Sequence, residues 1–216
     1  MPVREMECSW RTRHAVLILC RVMILVCPLS MVEEMVARHE PGRVVSLLDP
    51  EYEFPDLGPS YAGRHLRLGF HDVAIPAESD IAPSADHVHR LLRFVGELGP
   101  GENILIHCRA GISRSTAAAF IAACWLYPDV PEHDLAIPLR RAAPFARPNQ
   151  LLVAVADEVM ARDGRMVQAI ASTGRNLLSA DIDENIAFEL PCPGRAPGCP
   201  RLRDVRSIPS TRGLWT

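Results

Sequence analysis

The residues best suited to chemistry are a cysteine and an arginine six positions apart, Cys108 and Arg114. The apolar residues 103–106 before them predict a buried strand, and an Ala-rich helix is predicted from about 113 to 125. A tight loop between a strand and a helix N-terminus binds anions, because its backbone N–H groups and the helix dipole both point at the ligand. The spacing therefore predicts an anion-binding loop that contains both residues.

Each of the two residues has a definite chemical use in such a loop. A cysteine beside backbone N–H groups is favoured as the nucleophilic thiolate. An arginine offers a planar fork to two oxygens of a phosphate. A nucleophile and an oxyanion clamp in one loop indicate phosphoryl transfer through a covalent cysteinyl-phosphate.

The residues 107–115, HCRAGISRS, resemble the Cys-x5-Arg-[Ser/Thr] motif of the protein tyrosine phosphatase superfamily. The match is closest to the dual-specificity branch and its small bacterial-type members. It covers the chain from about Met23 to Ile170. The resemblance implies hydrolysis of phosphotyrosine, with phosphoserine and phosphothreonine as further substrates, and no metal or other cofactor.

The resemblance also assigns roles within the motif. Cys108 would be the nucleophile and Arg114 the phosphate clamp, while Ser115 would donate a hydrogen bond to the departing sulfur. His107 would position the loop rather than transfer a proton. The phosphate would be held by Arg109, Ala110, Gly111, Ile112, Ser113 and Arg114. We expect Arg109 and Ile112 to shape the rim of the site.

The reaction also needs a general acid for the leaving group, and three aspartates qualify. Asp72 follows the third predicted strand, where the family places its acid. Asp80 lies farther along the same loop among Ala and Pro residues, and Asp86 lies in the first turn of a helix, where an acid simply complements the dipole. Asp72 is preferred, with Asp80 as the alternative.

We expect Asn149 to brace the loop region through backbone hydrogen bonds.

The rest of the chain alternates predicted strands with predicted helices. This alternation indicates an α/β fold with a central, mostly parallel sheet flanked by helices, in the manner of dual-specificity phosphatases. Ligands bind such sheets beyond the C-terminal ends of the strands, where Cys108 falls. The predicted strands are 23–27, 43–48, 65–70 and 103–106. The predicted helices are 31–39 with Ser30 as its N-cap, 85–98 with Ser84 as its N-cap, 113–125, a short helix kinked at Pro138, and 150–162.

The predicted phosphatase domain spans 23–172. Residues 1–22 are interpreted as an N-terminal extension, either native or a start-site artefact with Met23 as the true start, and a signal or anchor at 15–29 is the alternative. Residues 173–216 form a C-terminal extension, expected to be disordered from about 191 because Pro and Gly dominate there. The acidic loop 51–63 is expected to border the mouth of the site.

The composition limits the kinds of partner and the cellular compartment that we expect for this protein. A net charge of −3 provides no basic field for nucleic acid. The seven cysteines have no metal-ligand spacing, which favours free thiols in a reducing, cytoplasmic compartment. We therefore expect a monomer that acts on a phosphorylated protein or peptide, without a membrane or nucleic-acid partner. Cys27 and Cys124 are candidates for resolving an oxidised Cys108.

Three other functions stay open. A phosphoinositide or small-molecule phosphatase would favour extra cations in the loop, and Arg109 is the only one there. A phospho-binding module without turnover is a second alternative, although the nucleophile, the clamp and a candidate acid are all present. A sulfurtransferase would also use a loop thiolate.

Overall fold

The architecture is α/β, with a five-stranded sheet in the order β3-β2-β4-β1-β5 among the residues described. The computed structural model describes residues 22–99, 101–174 and 186–190. β1 pairs in parallel with β4, β4 with β2, and β2 with β3, whereas β5 is antiparallel to β1. The strands are Ile24–Pro28 (β1), Arg43–Leu48 (β2), His65–Gly69 (β3), Ile104–Cys108 (β4) and Phe188–Leu190 (β5).

Six α-helices connect and cover these strands within the described ranges. They are Val32–His39 (α1), Ala85–Gly96 (α2), Arg114–Leu126 (α3), Glu132–Ala142 (α4), Gln150–Val159 (α5) and Arg165–Ser172 (α6). The larger apolar cluster lies on the sheet face covered by α2 to α6, and a smaller one lies under α1 on the other face. The predicted mostly parallel sheet with helices on both faces is confirmed.

Helix α3 occupies the centre of the larger layer. All thirteen of its residues are buried. Its run of small residues, Ala117, Ala118 and Ala119, allows close approach of its neighbours on every side, as expected for a helix that is apolar all round. Its N-terminus follows the central strand β4 and is therefore fixed firmly by the core.

Two local predictions need correction. A 3-10 turn at Leu29–Met31 precedes α1, so the N-cap of α1 is Met31 rather than Ser30. The sheet also extends beyond the predicted domain end at 172, because Phe188–Leu190 adds an edge strand. Three residues are too few to show strand alternation, so their sequence could not reveal the pairing.

Other local predictions are confirmed. Ser84 is the N-cap of α2, where its backbone N–H donates to Nδ1 of His87 at 3.2 Å. Pro138 lies inside α4, as predicted. Within the described ranges no helix is both long and apolar enough to cross a membrane. The expected N-terminal extension, apart from Val22, and the tail from 191 lie outside the described residues.

Candidate active site

The predicted anion-binding loop joins the end of β4 to the start of α3. Three of its carbonyls, at Arg109, Ile112 and Ser113, accept backbone hydrogen bonds from outside the loop, at 3.1, 2.9 and 3.3 Å. The donors are Leu29, Arg147 and Asn149, respectively. Because these carbonyls are turned outward, the loop can present its N–H groups to an anion at its centre.

Gly111 is required at the tightest point of this loop. Its φ is +75°, a conformation that side chains disfavour. A Cβ added there would lie 2.9 Å from the backbone N of Pro28 and 3.1 Å from the carbonyl carbon of Cys27. The loop therefore packs directly on the end of β1, and only glycine fits between them.

The sulfur of Cys108 lies at the base of the loop. The residue is 2% exposed. Its Sγ is 3.1 Å from Oγ of Ser115, and the backbone N–H of Gly111 donates to it at 3.2 Å. The sulfur therefore has one backbone N–H donor and one hydroxyl within hydrogen-bond distance.

Arg114 is buried at the first position of α3 and is held from two sides. Its two terminal nitrogens donate to the two carboxylate oxygens of Asp49, at 3.1 and 3.2 Å. Nη1 also donates to the carbonyl of Phe70 at 2.7 Å. Asp49 and Phe70 come directly after β2 and β3, so the carboxyl ends of two strands orient the guanidinium.

The remaining donors of Arg114 lie along one edge. A guanidinium has five N–H donors, and the three bonds to Asp49 and Phe70 leave the Nε–H and one Nη2–H. Nε is buried without a hydrogen-bond partner among the described residues. These two hydrogens are adjacent and parallel, which suits two oxygens of a phosphate.

Asp72 lies beside this edge of Arg114. Its Oδ2 is 3.9 Å from Nε of Arg114. Its Oδ1 accepts hydrogen bonds from Oγ of Ser113 at 2.7 Å and from Nδ2 of Asn149 at 2.8 Å. Asn149 caps α5 by accepting from the N–H of Leu152, and this fixes its amide orientation with Nδ2 toward Asp72. One carboxylate oxygen is thus anchored and the other faces the site.

The two other candidate acids lie elsewhere. Asp80 accepts from the backbone N–H of Ala77 at 2.7 Å and lies 3.5 Å from Nδ1 of His71, so it closes its own loop. Asp86 lies at the exposed start of α2, 4.0 Å from Arg90. Neither contacts the Cys108–Arg114 loop in the structure.

His107 is fully buried on the opposite sheet face from Cys108. Its Nε2 is 2.5 Å from Oγ of Ser46. The pKa of His107 is lowered to about 4, chiefly by burial, with a smaller opposing effect of the Cys108 backbone and a small lowering by His65. A neutral, enclosed imidazole suits the predicted positioning role rather than proton transfer.

Arg109 leaves the loop toward the 51–63 segment. Its guanidinium stacks over the ring of Tyr52 at 4.9 Å and donates to the Tyr52 hydroxyl. The 51–63 segment therefore does reach the rim of the loop. This cation is engaged by an aromatic ring and is less available for a second phosphate.

The two predicted redox partners lie on different sides of the sheet, Cys27 on the side opposite to Cys108 and Cys124 in the same apolar cluster as Cys108. Side chains alternate along a strand, and Cys27, paired with His107, belongs to the cluster under α1, whereas Cys108 belongs to the other. Burial, with a smaller contribution from Cys108, raises the pKa of Cys27 to about 12. Burial also raises the pKa of Cys124. Both thiols are therefore poor nucleophiles at neutral pH.

Three residues of the site escaped the sequence analysis, namely Asp49, Ser46 and Tyr52. Asp49 could have been found, because it follows a predicted strand just as Asp72 does and both strand ends lie at the same edge of a parallel sheet. Ser46 and Tyr52 carry no such signal. A serine within a strand and a tyrosine in an acidic loop are common and indicate nothing by themselves.

Comparison with known proteins gives structural matches only. No family model and no curated protein matches the chain. The chain is similar to DUSP15 (18% identity, TM-score 0.48, covering 70% of this chain and 93% of the other). It is similar to the Yvh1 phosphatase domain from Chaetomium thermophilum (17%, 0.48, 68% and 98%) and to the PTP-2 phosphatase of Cydia pomonella (17%, 0.45, 77% and 93%).

These solved structures are of the kind that the 107–115 motif resembles. At 17–18% identity the similarity is one of fold.

Proposed function

We propose that this protein hydrolyses phosphate monoesters, with phosphotyrosine of a protein or peptide as the substrate and Cys108 as the nucleophile. One observation carries the proposal. A sulfur that contacts a backbone N–H and a hydroxyl lies in the same loop as a buried arginine whose Nε has no hydrogen-bond partner among the described residues. Sulfurs and arginines in structural roles do not need this arrangement.

The first step transfers the phosphoryl group to sulfur. The Cys108 thiolate attacks phosphorus, an S–P bond forms, and the bond from phosphorus to the phenolic oxygen breaks. Arg114 and the loop N–H groups hold the three equatorial oxygens as charge moves. Asp72 gives its proton to the departing oxygen, so the alcohol leaves neutral.

The second step releases the enzyme. Asp72, now a carboxylate, takes a proton from a water molecule that attacks phosphorus. The S–P bond breaks, inorganic phosphate forms, and the electron pair returns to sulfur. The hydroxyl of Ser115, 3.1 Å from Sγ, donates a hydrogen bond to the thiolate that leaves.

The surroundings of the loop favour a protein or peptide over a polyphosphate. Arg109 already contacts Tyr52, so the loop offers no second free cation. A groove of about 990 Å³ continues from the loop and is lined by Asp72, Ile112, Ser113, Arg147, Val153 and Val167 among others. It is mostly apolar, with room for side chains that flank a phosphorylated residue.

Several exposed apolar residues belong to segments near the same site. Five large hydrophobic side chains are exposed within the described ranges, and four of them belong to segments that border the loop or the groove. These four are Tyr52, Ile75, Ile81 and Val167. Ile75 is 89% exposed three residues after Asp72. These side chains are accessible to a bound protein or peptide.

The test is hydrolysis of para-nitrophenyl phosphate and of phosphotyrosine, phosphoserine and phosphothreonine peptides, with EDTA present. The full chain should hydrolyse the aryl phosphate and the phosphotyrosine peptide. Cys108→Ser should abolish turnover, and Cys124→Ala, a buried cysteine outside the loop, should retain it. Arg114→Lys should lose most activity because lysine cannot give two parallel donors.

Other outcomes would replace the proposal. Faster hydrolysis of inositol phosphates than of aryl phosphates would indicate the small-molecule alternative. Tight phosphopeptide binding by the wild type without phosphate release would indicate a binding module.

A further inference from the structure

A row of buried polar side chains runs from the loop across the sheet. Ser46 on β2 is directly opposite His107 on β4 in the sheet register. Its Oγ lies 2.5 Å from Nε2 of His107 and 2.7 Å from Nε2 of His65. Ser46 and His107 are fully buried. One hydroxyl therefore bridges two imidazoles beneath α1.

The hydroxyl has one proton, so it donates to one ring and accepts from the other. The direction follows from the outer end of the row. Nε of Arg67, which can only donate, lies 3.4 Å from Nδ1 of His65. Nδ1 of His65 is then the acceptor, and its proton lies on Nε2 and points at Ser46. Ser46 in turn donates to Nε2 of His107.

This count leaves the proton of His107 on Nδ1. Both rings are then neutral, and burial lowers the pKa of each to about 4, in agreement with that state. Nδ1 of His107 is buried without a hydrogen-bond partner among the described residues. His107 acts on the loop through the peptide that it shares with Cys108, so whatever fixes the ring also fixes the start of the loop.

We propose that Ser46 and His65 are positioning residues, which fix His107 in its Nδ1–H tautomer and thereby hold the Cys108 backbone in the geometry that the loop needs. The proposal rests on the proposed phosphatase function for its consequence, but the tautomer itself does not. Neither residue touches the substrate. Their effect reaches the sulfur only through His107.

The tautomers can be read directly from imidazole ¹⁵N chemical shifts, using the full chain labelled at histidine. The wild type should show protonated Nδ1 on His107 and protonated Nε2 on His65 at pH 7. Ser46→Ala should convert His107 to a mixture of tautomers. Ser46→Thr keeps the hydroxyl and should keep the wild-type pattern, and Ser60→Ala, an exposed serine replaced in the same way, should change nothing.

The loop can be followed separately by alkylation of Cys108 with iodoacetamide across pH. The alkylation rate at a given pH should fall in Ser46→Ala, because the loop around the sulfur is held less firmly, and it should return in Ser46→Thr. The kcat of Ser46→Ala should fall by about three- to tenfold at pH 6, with KM little changed. If Ser46→Ala fails to fold, His65→Leu removes the outer donor and should mix the His107 tautomers in the same way.

Two results would overturn the proposal. One is protonated Nε2 on His107 in the wild type. The other is an unchanged His107 tautomer and alkylation rate in a folded Ser46→Ala or His65→Leu variant. If the histidines show the expected tautomers but the protein has no phosphatase activity, only the proposed function is rejected.

Discussion

The carboxylates at this site have different tasks although they meet the same arginine. Asp49 binds Arg114 through both oxygens and holds it in place. Asp72 has one oxygen, Oδ1, bound by Ser113 and Asn149. Its other oxygen, Oδ2, lies 3.9 Å from Nε of Arg114. A carboxyl group with one free oxygen can carry and give a proton, whereas one with both oxygens engaged cannot do so without releasing the arginine.

Replacing Asp72 by asparagine tests this difference. The amide keeps an oxygen for Ser113 and Asn149 but has no proton to give. We expect kcat for a phenolic phosphate to fall by about a hundredfold or more, with the basic limb of the pH profile lost. The loss should shrink for substrates whose leaving group needs no proton.

Asp80→Asn is the matched control for Asp72→Asn and should keep the wild-type profile. An unchanged profile in Asp72→Asn together with a changed one in Asp80→Asn would transfer the role of general acid to Asp80.

At the scale of the elements, the loop between β4 and α3 owes its shape to its neighbours. The end of β1 packs against Gly111, while the segment before α5 binds the carbonyls of Ile112 and Ser113. The loop sequence supplies the residues, but two separate segments of the chain set its curvature.

Gly111→Ala tests the contact with β1. A side chain at positive φ costs about 1–2 kcal/mol by itself, and Gly164→Ala measures this cost alone because Gly164, at φ +82°, has nothing within 4 Å of an added Cβ. Gly111→Ala should lower the free energy of unfolding by at least about 1 kcal/mol more, through overlap with Pro28 and Cys27. Chemical denaturation of both variants measures the difference.

Activity gives a second readout for the same pair of variants. Gly111→Ala should lose activity while Gly164→Ala keeps it. Equal losses of stability and activity in the two variants would show that the loop does not depend on β1.

At the scale of the whole molecule, the core contains a polar row beneath α1 that must stay uncharged. His107 is fully buried, and the titratable and charged groups that face it are His65 on β3 and, through that ring, Arg67. Burial lowers the pKa of His107 from its ordinary value near 6.5 to about 4. The unfolded chain therefore binds a proton between these pH values that the folded protein does not.

Stability should consequently depend on pH in a defined window. The contribution of His107 is present above about pH 6.5 and is lost as the pH falls toward 4, on the order of 2–3 kcal/mol, because the folded pKa is the lower one. His65 acts in the same direction. Urea denaturation at several pH values should show a smaller loss in His107→Gln than in the wild type.

His133→Gln, the replacement of an exposed histidine, is the control and should follow the wild type. Parallel stability profiles in wild type and His107→Gln would contradict the buried, neutral state of this ring.

The sequence by itself determined the loop and the residues proposed as its nucleophile and its phosphate clamp. Cys108, Gly111, Arg114 and Ser115 lie within eight residues, so local chain geometry alone brings them together. The predicted strands and helices are also present in the structure, because each has an apolar pattern that extends over enough residues to indicate its type. The choice of Asp72 as the candidate general acid is consistent with the rule that ligands bind at the carboxyl ends of parallel strands.

Only the tertiary structure decided which distant groups complete the site. Asp49 is 65 residues from Arg114 and Ser46 is 61 from His107, and their contacts arise from the β2–β4 pairing rather than from any local pattern. Phe188–Leu190 is too short to show a period, so its place beside β1 depends on the sheet edge it covers. Strand pairing depends on many weak contacts throughout the core, so the sequence of one short segment does not determine it.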